Sequence, residues 1–496
     1  TIDDLAVPGY GYNGEVGGPI LRVAQGSTVT VDFTNAIDMP TTIHWHGLRH
    51  ANKDDGVPGV TQPAVPPGGR HTYTLTFPDP GVYWYHPHVR EDIQQDGGMY
   101  GAIVVEASDP GYFNPVDRDE VIVLDDVLIE DGELVPFGGP VADFTVMGRF
   151  GNTMLVNGRD RYDLDVRQGD VVRFYVVNVA NVRPFEFGFE GARMKRVGGD
   201  LGAFAEEVFL DRILLAPAER AIVEVQFDRP GPATLVHDTP TRRYDLGTVT
   251  VTTAGRRDDA VRRAFDVERI HTDVVGDMRD VLALAFAAPD VELELDIDMP
   301  SLLTTDGGAA GDSGGSGAGD VHDDEDGAHG AAGGVEWEDD MLAANRQSTA
   351  AETRWVLRDI ASGAENEALR YRFRVGDKVK IRLHNRPDSA HPMQHPIHIH
   401  GQRFVVVGRN GVPNRDLVWK DTVLVPIGET ADLVMDVTNP GAWMVHCHIA
   451  EHLETGMMFQ FDVANEDGSM PAIYGDRMDH GTGADAGAAH GADDGG

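Results

Sequence analysis

Short runs of β-branched and aromatic residues, separated by clusters of Gly, Pro, Asn and Asp, cover most of the chain, and long stretches with helical periodicity are scarce. Such runs are typical of strands joined by turns. The longest apolar runs, such as VVRFYVVNVA from Val171, are interrupted by charge and fall far short of the roughly 20 residues that a membrane-spanning helix needs. The pattern therefore predicts an all-β protein of sandwiches or barrels without a membrane-spanning segment.

One unit of this pattern occurs three times. Its first half reads LRVAQGSTVTVDFTN from Leu21, LDVRQGDVVRFYVVN from Leu164 and YRFRVGDKVKIRLHN from Tyr371. Its second half reads VPPGGRHTYTLTFPDPGVYWYHPH from Val65, LAPAERAIVEVQFDRPGPATLVHD from Leu215 and VPIGETADLVMDVTNPGAWMVHCH from Val425. The repeat predicts three homologous β-domains, which we place at residues 1–112, 113–253 and 350–465.

Two segments fall outside the repeat. We interpret residues 254–349 as a linker, and its Gly- and Asp-rich part, 304–334, has so few apolar residues that burial cannot offset the entropy of ordering it. The acidic tail 466–496 is expected to be disordered for the same reason. The histidines of the Gly- and Asp-rich part and of the tail are expected to take no part in function; they are His322, His329, His480 and His490.

The formal net charge is −40, and acidic residues are spread through the predicted domains. This charge argues against nucleic acid and anionic membranes as partners. An acidic surface poor in Lys resembles that of proteins from salt-loving organisms, whereas an acidic metal-scavenging protein would carry its charge in clusters. The chain opens at Thr1 rather than Met, so a secreted protein that has lost a targeting segment is expected.

Eight of the twenty histidines form four His-x-His pairs, namely His44/His46, His86/His88, His398/His400 and His446/His448. Residues i and i+2 of a strand face the same way, so each pair aims two imidazoles in one direction. Two pairs come from the first repeat and two from the third, so a shared cluster is expected where those domains meet. Eight histidines are too many for one metal ion, and imidazole suits copper. The second repeat has only His237, followed by Asp238, and is interpreted as a spacer without metal.

The stretch HCHIAEHLETGM, from His446 to Met457, holds Cys447, the only cysteine of the chain. Two His nitrogens, one Cys sulfur and a long axial Met make a blue-copper electron-transfer site, and His452 and Met457 supply two of these donors beside Cys447. One more histidine must come from elsewhere. Because neighbouring residues of a strand face opposite sides, His446 and His448 are expected in the histidine cluster while Cys447 faces the other site.

With all four motifs in this order, the chain resembles three-domain multicopper oxidases and, within that family, laccases. The resemblance covers the whole predicted folded part. It implies an all-β fold of three cupredoxin-like Greek-key sandwich or barrel domains, and four copper ions. On the matching positions, type 1 copper would bind His395, Cys447 and His452, with Met457 as axial ligand. Type 2 copper would bind His44 and His398, and the type 3 pair would bind His46, His86 and His446 on one ion and His88, His400 and His448 on the other.

The resemblance also implies a reaction. A phenol or aromatic amine gives single electrons to the type 1 copper through the edge of His395 or His452, Cys447 passes them to the three-copper cluster, and O2 is reduced there to water. Asp55 matches the family's proton-supplying carboxylate, although an Asp before Gly is equally typical of a turn. In some bacterial relatives a carboxylate follows the type 1 His directly, and here that position is Leu453. Met457 as axial ligand predicts a type 1 potential in the low to middle range of the family.

Several alternatives stay open at this point. Within the class they are an oxidase of Cu(I), Fe(II) or Mn(II) and a bilirubin oxidase, although the 15 Met are scattered and form no Met-rich insert. From another class, a copper carrier or a one-copper electron-transfer protein would need no histidine cluster. A monomer that uses O2 and a small aromatic reductant is expected.

Overall fold

The structure, a computed structural model, describes residues 9–253, 259–299 and 334–471. Strands dominate these ranges, and the longest α-helix within them has seven residues. The prediction of an all-β protein is confirmed. In the part of the chain that the structure describes, no helix is long and apolar enough to cross a membrane.

The first part of the chain forms a four-stranded sheet, in the order β1-β6-β5-β3, and a two-stranded sheet of β2 and β4. Its strands are β1 (Leu21–Ala24), β2 (Thr28–Thr34), β3 (His44–His46), β4 (Arg70–Thr76), β5 (Gly81–His86) and β6 (Gly101–Glu106). A 3-10 turn, Asn52–Asp54, follows β3, and a short helix, α1 (Glu91–Gln94), follows β5. Both connections lie next to strands that end in His pairs.

The second part forms a six-stranded sheet, in the order β10-β7-β12-β17-β14-β15, and a five-stranded sheet, in the order β11-β19-β18-β13-β16, with a small hairpin of β8 and β9. Its strands are β7 (Arg118–Val127), β8 (Ile129–Glu130), β9 (Glu133–Leu134), β10 (Thr153–Val156), β11 (Tyr162–Arg167), β12 (Val171–Asn178), β13 (Phe185–Glu190), β14 (Arg193–Gly199), β15 (Gly202–Phe209), β16 (Ile213–Leu215), β17 (Arg220–Gln226), β18 (Gly231–Asp238) and β19 (Arg243–Thr252). The helices α2 (Asp259–Phe265), α3 (Thr272–Asp277) and α4 (Arg279–Leu282) follow.

The third part repeats this plan, with a six-stranded sheet in the order β21-β20-β23-β28-β25-β26 and a five-stranded sheet in the order β22-β30-β29-β24-β27. Its strands are β20 (Val291–Asp298), β21 (Arg354–Asp359), β22 (Tyr371–Arg374), β23 (Lys378–Asn385), β24 (His395–Ile399), β25 (Arg403–Arg409), β26 (Val412–Pro413), β27 (Thr422–Val425), β28 (Thr430–Asp436), β29 (Gly441–Cys447) and β30 (Met458–Ala464). The helices are α5 (Leu342–Asn345) and α6 (Ala450–Glu454), with a 3-10 turn at Asn366–Ala368.

The predicted linker 254–349 needs correction, because β20 lies inside it. This strand pairs with both β21 and β23, so it is an interior strand of a sheet in the third part. Its apolar residues alternate with acidic ones, and Val291, Leu293, Leu295 and Ile297 are buried. That alternation is the mark of a half-buried strand, but it lies outside the repeated unit. The Gly- and Asp-rich part of the predicted linker lies outside the described residues, apart from Gly334, and so does the predicted tail from residue 472 onward.

In all three repeats the same two contacts join the first half of the unit to the second. In each, the first strand pairs in parallel with the last one, as β1 with β6, β11 with β19 and β22 with β30. An Asn at the end of the next strand then donates its side-chain N–H to a backbone carbonyl just before the Pro of the second half. The pairs are Asn35 to Val65, Asn178 to Leu215 and Asn385 to Val425, each 2.9 Å long. Buried amides of this kind fix where one half of the unit lies against the other.

Candidate metal centre

Four strands from the first and third parts deliver the histidines of the four pairs. In the first part, β3 carries His44 and His46 and lies antiparallel to β5, with His44 opposite His86. In the third part, β24 and β29 are antiparallel neighbours, with His398 opposite His446. Strand pairing therefore aligns the pairs two by two, and the two sheets meet at these strands.

Cys447 and two histidines form the first group of donor atoms. Cys447 Sγ lies 3.6 Å from the Nδ1 atoms of both His395 and His452, and these two nitrogens are 3.3 Å apart. His395 begins β24, Cys447 ends β29 and His452 lies on α6, so a turn directly after the cysteine returns the second imidazole to it. The predicted axial residue, Met457, is buried, and its backbone carbonyl accepts the N–H of Cys447 at 3.1 Å. The structure thus brings together three predicted type 1 donors, Cys447, His395 and His452, and places Met457 beside the cysteine.

The histidine pairs form three further groups of converging nitrogens: His44, His46 and His398; His46, His86 and His448; and His88, His400 and His446. All eight side chains are buried. The first group contains the predicted type 2 ligands. The other two correct the predicted type 3 sets, because the structure places His448 with the first set and His446 with the second, the reverse of the prediction. Ring centroids agree, with His448 5.0 Å from His46 and His446 5.3 Å from His88.

The ring nitrogens test whether these groups fit a metal. In five of the eight cluster histidines, one buried ring nitrogen finds no hydrogen-bond partner among the described residues, namely Nε2 of His44, His86, His88 and His398 and Nδ1 of His46; in His448 neither ring nitrogen finds one. The other nitrogen of each of these five rings faces an oxygen. The pairs are His44 with Asp55 O at 2.8 Å, His86 with Pro87 O at 2.8 Å, His88 with Glu91 Oε1 at 3.2 Å, His398 with Asp421 O at 2.9 Å and His46 with Asp421 Oδ1 at 3.0 Å. Metal-binding histidines are held in this way, with one nitrogen free and the other tied to an oxygen.

A close contact between two acceptors supports the same conclusion. Nε2 of His400 and Nε2 of His446 are 3.0 Å apart. Their Nδ1–H groups already donate, to Asp55 Oδ2 and to Cys447 O, each at 2.9 Å. Both Nε2 atoms therefore present lone pairs to each other, and a cation between them would relieve the repulsion. The donors present fit metal ions.

Burial sets the charge state of these side chains. It lowers the pKa of His395 to about 3 and raises the pKa of the Cys447 thiol. Burial, and then the positive charge of neighbouring imidazoles, also holds the pKa values of His86 and His448 well below their usual range. The imidazoles are therefore neutral at neutral pH and have lone pairs to offer.

Asp55 lies within the histidine cluster, as the prediction placed it. Its Oδ2 accepts the N–H of His400, its backbone carbonyl accepts that of His44, and its Oδ1 finds no hydrogen-bond partner among the described residues. Burial acts to raise the pKa of Asp55, but the contacts with His44, His50 and His88 outweigh it and lower that pKa. The carboxylate therefore stays ionised and orients two rings of the cluster.

Sequence reasoning missed three residues that contact the site. Glu91 begins α1 and is fully buried 3.2 Å from His88, and Asp421 hydrogen bonds to His46 and, through its carbonyl, to His398. Trp355 stacks on His452 with ring centroids 4.0 Å apart. Glu91 had a local signal, because it follows the His pair of β5 by three residues. Trp355 lies on β21 and Asp421 directly precedes β27, and no metal motif marks either place.

A cavity of about 380 Å³ reaches the cluster at His88. Glu91, Leu453 and Glu454 are among the residues that line it. Leu453 leaves the wall apolar where some relatives were expected to have a carboxylate. Here the buried carboxylate next to a cluster histidine comes from Glu91 of the first part.

His237, in the second part, lies in a different setting. Its ring stacks on Tyr244 at 5.5 Å, and its Nδ1 accepts the backbone N–H of Glu186 at 3.1 Å. Burial lowers the pKa of His237 to about 4. The residue is held as a neutral core histidine. The four predicted idle histidines lie outside the described residues.

Sequence models of multicopper oxidases match three stretches of the chain, residues 2–110, 132–239 and 340–467. The chain belongs to the multicopper oxidase family. Membership implies copper as the metal, and O2 and a reductant as substrates, so this multicopper oxidase is an oxidoreductase. The matches follow the same order as the three repeats of the sequence.

Individual proteins of known name agree with this assignment. The chain is 26% identical to multicopper oxidase MmcO of Mycobacterium tuberculosis over 91% of this chain and 82% of that protein. It is 24% identical to Laccase-13 of Arabidopsis thaliana over 94% of this chain and 91% of that protein. The crystal structure of a multicopper oxidase from Pseudomonas thermotolerans superposes with a TM-score of 0.67 at 25% identity, covering 93% of this chain and 95% of that one. The predicted cupredoxin-like fold is thereby confirmed.

Proposed function

We propose that this multicopper oxidase is of the laccase type. It would couple four one-electron oxidations of phenols or aromatic amines to the reduction of one O2 to two waters. His395, Cys447, His452 and Met457 would hold the type 1 copper, His44 and His398 the type 2 copper, and the six remaining histidines of the pairs the type 3 ions. Bound copper supplies the one-electron redox chemistry at the first group and the binding and reduction of O2 at the other three.

The observation that carries the oxidase reaction of this proposal is the position of Cys447 between two cluster histidines. Its side chain faces His395 and His452, whereas His446 and His448 belong to the other groups. The cysteine and its two peptide bonds are therefore a covalent path of a few atoms between the two kinds of site. A protein that only stored copper would gain nothing from this connection.

The chain's own residues prepare both sites. Trp355 stacks on His452 and meets His395 edge to face with centroids 4.9 Å apart, so it fixes both rings and keeps water from them. At the cluster, Asp55 orients His400 through Oδ2. We propose that the ionised carboxylate takes up a proton on Oδ1, which lies 3.4 Å from His44 Nδ1, and passes it on for water formation. Glu91 faces both His88 and the cavity, and we propose that water leaves along this wall.

An oxidase of metal ions is the second candidate, and one observation favours it. His391 lies 6.5 Å from Trp355 between ring centroids, and burial lowers its pKa while Asp340 and Asp339 act to raise it. Carboxylates beside an imidazole near the type 1 donors are groups that attract a cation. Some relatives are named as iron transport and copper resistance proteins.

A substrate panel on copper-loaded protein distinguishes the two. Oxygen uptake would be followed with a phenol, an aromatic amine, bilirubin, Cu(I), Fe(II) and Mn(II), and an Asp340→Asn variant would be run alongside. Laccase function predicts the highest kcat/KM for the aromatic reductants and no effect of the variant on them. If a metal ion is preferred and the variant raises its KM, the metal-oxidase alternative holds instead. Blue protein that consumes no oxygen with any reductant would contradict both and indicate a copper carrier.

A further inference from the structure

The second part of the chain holds none of the four donor groups, yet one of its residues approaches the cluster. Arg220 begins β17 and is buried. Its guanidinium donates two parallel hydrogen bonds to the Asp421 carboxylate, from Nη1 at 2.6 Å and from Nη2 at 2.5 Å. Asp421 Oδ1 in turn lies 3.0 Å from His46 Nε2. Only one carboxylate separates this arginine from a cluster histidine.

Arg220 is fixed from several sides. Its Nε donates to Val82 O on β5 at 2.9 Å, its Nη1 also donates to Ala218 O at 3.0 Å, and its backbone N–H donates to Asp200 Oδ1 at 2.9 Å. The guanidinium therefore contacts the strand that ends in His86, the second part and the third part at once. When a fixed guanidinium donates two parallel hydrogen bonds to a carboxylate, the carboxylate can take only one orientation.

That orientation decides which nitrogen His46 presents. The unpartnered nitrogen of His46 is Nδ1, whereas in His44, His86, His88 and His398 it is Nε2. A carboxylate only accepts hydrogen bonds, so His46 must carry its proton on Nε2 to donate to Asp421. Its Nδ1 is then left with a lone pair for the two groups that it shares, one with His86 and His448 and one with His44 and His398.

Gly47 gives independent support, because it leaves the room that this pair needs. Its φ of +86° lies in the left-handed region, and a Cβ built on it would lie 2.4 Å from Asp421 Oδ2 and 2.8 Å from Arg220 Nη2. Any other residue directly after His46 would push the carboxylate and the guanidinium away. The glycine directly after His46 is thus explained by the close approach of this pair.

We propose that Arg220 is a positioning residue of the copper cluster, which acts by holding Asp421 in the orientation that fixes the ring and the tautomer of His46. The second part of the chain therefore contributes to the cluster although it holds none of the donor groups. The proposal depends on these histidines binding copper and not on which reductant is used, so it stands or falls separately from the laccase proposal.

The test compares Arg220→Met, Arg220→Lys and Asp421→Asn in the full copper-loaded protein. The control is Arg173→Lys, because Arg173 forms a buried ion pair with Glu224 in the same part of the chain, 3.0 Å long. The measurements are copper per chain, the blue absorption of the type 1 site, and the near-ultraviolet absorption of the coupled pair. We expect Arg220→Met and Asp421→Asn to lose the near-ultraviolet band and copper while keeping the blue band, with Arg220→Lys in between and the control unchanged.

A purely structural role predicts something different. If Arg220 only joined the domains, its variants would lose the blue and the near-ultraviolet bands in equal proportion as the protein unfolded. That result, or an unchanged ratio of the two bands in Arg220→Met, would overturn the proposal. Should Arg220→Met yield no folded protein, the ratio in Arg220→Lys and Asp421→Asn decides, and a ratio equal to that of the unmodified protein contradicts it.

Discussion

Cys447 and His446 are adjacent in sequence, yet their side chains lie in different donor groups. Cys447 Sγ is 3.6 Å from His395 Nδ1, whereas His446 Nε2 is 3.0 Å from His400 Nε2. Alternation along β29 produces this separation, since consecutive side chains of a strand face opposite sides. One short strand end therefore takes part in two metal sites.

Replacing Cys447 by Ser separates those two sites. The hydroxyl is a poor ligand for type 1 copper, whereas His446 and His448 keep their places on the strand. We expect loss of the blue absorption and of turnover, with copper still bound by the histidine groups. Copper analysis and oxygen uptake with a phenol check this, and unimpaired phenol oxidation by Cys447→Ser would refute the proposed path.

Asp55 and its neighbour Asp54 offer a matched pair of variants. Asp55 contacts His44 and His400, whereas Asp54, equally buried, accepts the backbone N–H of Thr74. If Asp55 relays the proton for water formation, Asp55→Asn slows oxygen reduction by about 100-fold or more while the blue absorption is unchanged. Asp54→Asn should have no such effect. Equal turnover in the two variants would mean that Asp55 does not relay the proton.

The sequence predicted the donor atoms better than their grouping. Each His pair and Cys447 was legible because strand alternation is a local property. Whether His446 or His448 joins His46 depends on how the third part docks against the first, and both residues face the same side of β29, so local pattern cannot decide. Arg220 and Asp421 could not be foreseen either, since their contact joins residues 201 positions apart that no spacing links.

Trp355 supports the type 1 donors through packing, and its removal should be costly. The side chain is 1% exposed, stacks on His452 and donates Nε1–H to Thr145 O at 2.8 Å. We expect Trp355→Ala to lower the free energy of unfolding of the metal-free protein by about 3 to 5 kcal/mol. Trp355→Phe keeps a ring on His452 and should lose about 1 kcal/mol with the hydrogen bond. Urea unfolding measures both losses. If Trp355→Ala lost less free energy of unfolding than Trp355→Phe, this packing role would be contradicted.

His237 makes the stability of the metal-free protein depend on pH. Its pKa is about 4 in the folded protein, against about 6.5 unfolded, because burial disfavours the charged ring. Between these values the unfolded state binds more protons, so stability is lost as the pH falls through this window, by about 2 kcal/mol from this residue between pH 7 and pH 5. His237→Gln should flatten that loss in urea titrations at the two pH values. An identical pH dependence in the variant and the unmodified protein would show that His237 is not responsible.

Salt should stabilise the fold. A net charge of −40 repels itself, and the screening length falls from about 10 Å at 0.1 M salt to about 3 Å at 1 M. We expect the melting temperature and the oxidase activity both to rise with KCl, and equally with NaCl if screening is the cause. A melting temperature indifferent to salt would remove the argument for adaptation to high salt.

The hydrogen bonds from the side chains of Asn35, Asn178 and Asn385 have a consequence for how such a protein can diversify. All three repeats keep the same amide-to-carbonyl hydrogen bond, although the four donor groups lie in the first and third alone. The residues that fix the shape of each domain are thus different from the residues that bind copper. A copy of the unit can therefore lose its metal-binding histidines and still fold. The second part is such a copy, and its Arg220 supports the copper cluster of the other two.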